Sequence, residues 1–188
     1  MLSCAIRSID ALQFGTVVHP GDNLAAVLAG EAGGGKVFLK AGVHQLSSTL
    51  VVDSAVTLVG EGPATIIRST GDGAVIKLQG NGGGAKNRLS QVTLRAFAVD
   101  CGAVGATTPG VWLQNVEASF VEHLQFSNCQ NDMQVTSSSK NWIQDNGFSS
   151  DPTNAGVGGI AEDESASHNV YRRNSVAARQ PQQVQDLH

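Results

Sequence analysis

A chain of 188 residues is long enough for one well-buried domain, and 41% hydrophobic residues lies in the globular range. Only 5% are aromatic and 15% charged, with 22 Gly against 5 Pro, a balance that suits a β-rich fold with permissive turns and not a helical bundle. A net charge of −4 with no Lys/Arg run argues against a general nucleic-acid binder, and no apolar stretch is long enough for a membrane span.

In chain order, residues 1–35 read as an N-terminal cap. Asp22 is the expected N-cap of a short helix over Leu24–Ala29, ended by Gly30 or Gly33. A helix ahead of a stack of parallel strands covers an edge that would otherwise pair with other chains. Leu2-Ser3-Cys4 lacks the apolar segment of a lipoprotein leader, so no signal peptide is read.

From residue 36 onward, short strands alternate with turns: 37–39, 50–52, 56–59, 65–68, 74–78, 92–99, 111–113, 121–126, 133–135, 142–144 and 170–173. No amphipathic helix of useful length lies between them. Parallel pairing normally needs long crossovers, and a wound ribbon meets that need by pairing each strand with its equivalent one coil later. The solenoid is expected over 36–176. Beyond it, 177–188 is a polar tail that either folds over the last coil or leaves its edge open to a homo-oligomer.

A pattern that returns four times supports this winding: Val92-Arg95-Phe97, Val121-Leu124-Phe126, Ile143-Asn146-Phe148 and Tyr171-Asn174-Val176. A second anchor precedes the later copies at 15, 15 and 16 residues (Val111 to Phe126, Met133 to Phe148, Ile160 to Val176). In the first, Val75 to Phe97 is 22, with the excess in a glycine-rich insertion at 81–87. Fixed segments with variable loops mark a solenoid. Cys4, Cys101 and Cys129 have no metal spacing; Cys101 and Cys129 fall on neighbouring coils, where contact is expected without a disulfide being implied.

The stretch from Gly35-Lys36-Val37-Phe38-Leu39 through Val56-Thr57-Leu58-Val59-Gly60 to Thr65-Ile66-Ile67, preceded by Pro20-Gly21-Asp22, resembles the opening of the pectin-lyase-like right-handed parallel β-helix superfamily. The rungs around Asn146 and Asn174 resemble family rungs that carry a stacked Asn ladder. The resemblance implies an all-β, single-stranded right-handed parallel β-helix with a short capping helix, and an extracellular or virion-surface location. It does not fix an activity, because the superfamily holds lyases, hydrolases, epimerases, tailspikes and non-catalytic adhesins. The Asn-Thr-Asp, Asp-Asp, Gly-His-Gly and Arg-Ile-Lys runs of family polygalacturonases do not occur here, nor does a pectate-lyase-like Trp-Ile-Asp-His.

Stacking the repeats places Thr93, Glu122, Gln144 and Arg172 in one column and Leu94, His123, Asp145 and Arg173 in the next. Glu122, His123, Gln144, Asp145, Arg172 and Arg173 are thus expected in one patch. For cleavage of a glycan, Asp145 and Glu122 are the acid/base candidates, Arg172 and Arg173 neutralise a uronate, and His123 exchanges a proton. The bland alternative is a solvated, cross-strand-paired sheet face. Trp112 is the expected sugar platform, with Gln144 beside the substrate and Trp142 expected in the core or in inter-rung stacking. Glu162-Asp163-Glu164, with Asp151, offers oxygen ligands for Ca²⁺ or simply a solvated loop. The loops at 80–88, 101–109 and 149–158 are the expected groove walls. The leading reading is a protein that recognises, and in one form cleaves, a polysaccharide; the alternative is a non-catalytic adhesion or structural module, or part of a larger surface or phage tail protein.

Overall fold

The computed structural model describes residues 15–82, 87–102, 109–149 and 159–177. Strand β1 (Thr16–Val18) precedes helix α1 (Leu24–Gly30), and the chain then winds through three large parallel sheets and a short two-stranded one. The first coil holds β2 (Gly35–Leu39), β3 (Gly42–Leu46) and β4 (Leu50–Val52), and the second β5 (Val56–Gly60), β6 (Thr65–Ser69) and β7 (Ile76–Gln79). The third runs through β8 (Leu89–Ser90), β9 (Thr93–Arg95), β10 (Ala98–Asp100) and β11 (Pro109–Gln114). The fourth follows with β12 (Val116–Glu117), β13 (Phe120–Glu122), β14 (Gln125–Ser127) and β15 (Asn131–Thr136). Next come β16 (Trp142–Gln144), β17 (Gly147–Ser149) and β18 (Ile160–Glu162), and finally β19 (Val170–Arg172) and β20 (Ser175–Ala177).

The first sheet is ordered β1-β2-β5-β9-β13-β16-β19, the second β3-β6-β10-β14-β17-β20 and the third β4-β7-β11-β15-β18. Every strand therefore pairs in parallel with its equivalent one coil away. This is the all-β parallel β-helix that the repeats imply. Alternation within each strand turns one row of side chains inward, and Leu58, Leu94, Val121 and Ile143 form a fully buried column. On the second sheet Phe126 and Phe148 pack against each other inside, their rings tilted with centroids 5.3 Å apart.

The expected strands 92–99 and 121–126 are each cut in two. The break falls at Ala96 and His123, which have φ of 58° and 55°; Asp145 and Arg173 repeat it at 56° and 50°. A left-handed backbone is unfavourable for non-glycine residues. Here it bends the ribbon while keeping the backbone bonded: Ala96, His123 and Asp145 donate their N–H to Glu122, Gln144 and Arg172 of the next coil at 3.2, 3.2 and 3.0 Å. The opposite edge of the first sheet bends in the same way at Gln91, Ala118, Lys140 and His168.

Backbone groups at a buried corner need partners that a straight ladder cannot supply. Two interior columns of asparagine supply them. Asn146 accepts from the Leu124 N–H (2.9 Å) and donates to the Val121 carbonyl (3.0 Å), while Asn174 Oδ1 receives both the backbone and side-chain N–H of Asn146. At the other corner Asn141 accepts from Ser119 N–H and donates to Val116 O and to Asn169 Oδ1.

Two expectations change at this level. The helix N-cap is Asn23, whose side chain accepts from Ala26 N–H; the Asp22 carboxylate instead accepts from His19 N–H at 2.7 Å. Cys101 and Cys129, 28 residues apart and both buried, form a disulfide between neighbouring coils. Cys4 and most of the tail 177–188 lie outside the described residues.

Candidate functional site

Each first-sheet strand of the later coils exposes two side chains between its two bent corners. On β13 these are Phe120 and Glu122, on β16 Trp142 and Gln144, and on β19 Val170 and Arg172, paired directly across the sheet. The result is a flat grid one coil deep per row, rows being about 4.8 Å apart.

The first column of the grid carries two aromatic residues, Phe120 and Trp142, ahead of Val170. Phe120 and Trp142 are 42% and 39% exposed, and their rings stack at 6.4 Å between centroids and 22° between planes. The second column is a chain of polar contacts. Arg95 Nε lies 3.5 Å from Glu122 Oε1, and Gln144 Nε2 donates to Glu122 Oε2 at 2.9 Å. Arg172 closes the column and forms no ion pair among the described residues. At the adjacent corner, Arg173 donates to both oxygens of Asp145, at 2.6 and 2.7 Å, and His123 Nε2 stands 4.0 Å from Asp145 Oδ2.

Glu122, His123, Gln144, Asp145, Arg172 and Arg173 thus occupy three successive rows. Thr93 and Leu94 do not head their columns. Leu94 pairs with Val121 and is fully buried, so Arg95 and Ala96 take those places. The slip is two residues; Val92 and Leu94 are both fully buried, and a shift of two leaves inward and outward faces unchanged.

Charge state follows from these contacts. The hydrogen bond from Arg173 holds the Asp145 carboxyl below the usual carboxylate range, and the same bond raises the Arg173 guanidinium. Asp145 is therefore a fixed anion near neutrality and a poor proton donor. Both Glu122 oxygens also have partners. The carboxylates act as acceptors that fix the arginines and glutamine in place.

Trp112 lies apart from this grid, on β11 of the third sheet. It is half-buried, its Nε1 donates to Thr136 Oγ1 at 2.8 Å, and the Lys77 ammonium covers its ring at 4.3 Å. Trp142 is the exposed tryptophan instead, stacked between rungs but outside the core. Sequence reading also missed Lys140 and His168, two exposed corner residues across the strand from Asp145 and Arg173. The signal for them is the repeated length of the first-sheet strand, which fixes a second corner five residues before the first.

The acidic run is engaged in local hydrogen bonds. Asp163 Oδ1 accepts from Ser137 N–H and from the N–H and hydroxyl of Ser165, and the Ser165 hydroxyl holds its carboxyl low. Glu162 accepts from Asn169 Nδ2 at 2.8 Å, and Glu164 is exposed. Among the described residues no group of three or more His, Cys, Asp or Glu is placed to hold a metal. Asp151 and most of the expected groove walls (83–86, 103–108 and 150–158) lie outside the described residues.

No protein-family model matches the sequence, and no curated protein does. Solved structures similar in fold include the following two. ORF18 of Geobacillus virus E2 superposes with a TM-score of 0.57 at 14% identity, over 87% of this chain and 40% of that one. The A-module of the mannuronan C-5 epimerase AlgE4 of Azotobacter vinelandii gives 0.60 at 15% identity, over 79% and 43%. The chain spans about two fifths of each. At these identities the likeness is one of fold, the parallel β-helix that the sequence resemblance implied.

Proposed function

We propose that this chain is a polysaccharide-recognising β-helix whose binding face is the outer surface of β13, β16 and β19. The observation that carries the reading is the exposed Phe120–Trp142 stack beside a row of hydrogen-bonding side chains. A sugar ring offers an apolar C–H face and a polar rim, and this grid offers an aromatic plane and a polar column to match. The face carries Arg95, Lys140, Arg172 and Arg173 against Glu122 and Asp145, a cationic strip on a chain of net charge −4. That balance favours an anionic polysaccharide. One structural neighbour is named for an epimerase of mannuronan, which is in keeping with a polysaccharide-directed fold.

Binding without cleavage is the preferred form, because Glu122 and Asp145 are both held by fixed partners. The disulfide favours an oxidising location such as the extracellular space or a virion surface. An incubation with anionic and neutral polysaccharides, with and without Ca²⁺, tests the form directly. Retention in an affinity gel with neither new reducing ends nor unsaturated-uronate absorbance is the expected result. Reducing ends lost on Asp145→Asn or Glu122→Gln would establish hydrolysis instead, and unsaturated products lost on Arg172→Ala a lyase. Arg172→Ala and Arg173→Ala are each expected to weaken retention of the anionic polymer several-fold, increasingly so at low salt.

A further inference from the structure

Two buried carboxylates stand close to the corner between the second and third sheets, and their surroundings differ. Asp100, 5% exposed, accepts from Asn128 Nδ2, Gly102 N–H and Arg68. Burial pushes its carboxyl up, and these donors outweigh burial, so it lies below the usual range. Asp132 is fully buried and among the described residues has one donor, Gly159 N–H, at 3.0 Å on Oδ2. Its Oδ1 has no hydrogen-bond partner among the described residues.

Asp132 lies between two glycines in its column, Gly110 on β11 and Gly159 just before β18. A Cβ at Gly110 would come within 2.8 Å of the Asp132 carbonyl oxygen, whereas one at Gly159 would meet nothing within 4 Å. Among the described residues, the open space is thus on the β18 side. Neither β11, β14 nor the turn 128–130 carries a titratable or charged side chain, and β15 carries no other. On β18 only Glu162 titrates; it is exposed and bonded to Asn169.

We propose that Asp132 is a protonation-dependent pin between β15 and β18, closed while its carboxyl is neutral and loosened when it ionises. The neutral acid sits in this apolar corner and accepts the Gly159 N–H, next to the Met133 N–H to Gly159 carbonyl bond of 3.0 Å. Ionisation leaves a buried anion with a single donor, and relief comes by opening toward the space at Gly159 and admitting water. The coil that loosens leads into β19, so the row holding Arg172 and Arg173 becomes the pH-dependent part of the grid.

Burial raises the Asp132 carboxyl from 3.8 to about 7, against a partial lowering by the Gly159 bond. The closed state therefore binds more protons than the open one between about pH 4 and 7. Closure is fully present below that window, is lost as pH rises through it, and changes no further above it.

Amide hydrogen exchange across residues 159–162, corrected for the intrinsic pH dependence of exchange, tests the pin. In the wild-type chain protection is expected to fall by up to about tenfold per pH unit between pH 4 and 7 and then level off. In Asp132→Asn, which keeps an acceptor for Gly159, it is expected to be flat, with residues 93–99 unchanged in both proteins. A flat wild-type profile, or the same fall in Asp132→Asn, would overturn the proposal. Should Asp132→Asn fail to fold, the wild-type profile against the 93–99 control decides alone.

Discussion

Asn146→Ala is expected to lower the free energy of unfolding by about 3–5 kcal/mol, the largest single effect anticipated for a polar residue here. The side chain is 1% exposed and bonded on both sides, to the Leu124 N–H and Val121 carbonyl of one coil and to Asn174 of the next. Alanine leaves a buried N–H and a buried carbonyl without partners, each worth about 1–3 kcal/mol. Water cannot easily replace them, because Leu124 and Val121 are fully buried. Asn146→Asp separates hydrogen bonding from shape: it keeps an acceptor and loses the donor to Val121. It should be destabilising at pH 7 and recover in part at low pH as the carboxyl protonates. Urea denaturation checks both, with a lower midpoint at unchanged slope. A loss below about 1 kcal/mol for Asn146→Ala would mean that the corner groups find other partners.

Removing the disulfide is the second large effect. Cys101 and Cys129 close a loop of 28 residues, for which the chain-entropy relation gives about 3–4 kcal/mol. Cys101→Ser with Cys129→Ser should therefore unfold at a lower urea concentration than the oxidised wild type and should match the wild type under reductant. Alkylation after denaturation without reductant should add one label out of three cysteines, at Cys4. Three labels on protein recovered from an oxidising compartment would contradict the pairing.

The winding was legible in the sequence because coil-to-coil stacking repeats an apolar signature at nearly fixed intervals. Its register was legible from Val121 onward but slipped by two residues before it. Val92 and Leu94 both point inward, so alternation alone cannot choose between them; the pairing of Leu94 with Val121 does. The corners were missed because their left-handed residues are Gln, Ala, His, Asp, Lys and Arg, without glycine to mark them. The different surroundings of Trp112 and Trp142 have the same origin. Whether a tryptophan is covered depends on its neighbour one coil away, Lys77 for Trp112 and Phe120 for Trp142. The six polar residues of the grid could be gathered from repeat alignment. Their charge pairing could not, since Asp145 had Arg172, Arg173 and His123 all within one row.

Calorimetric titration of the polysaccharide retained best, into wild type, Trp142→Ala and Trp112→Ala, tests most directly whether the first-sheet face binds glycan. Trp142→Ala is expected to weaken binding by about tenfold or more, equivalent to roughly 1.4 kcal/mol or greater, while Trp112→Ala binds as the wild type does. Full affinity in Trp142→Ala with loss in Trp112→Ala would contradict that expectation and move the site to the third sheet.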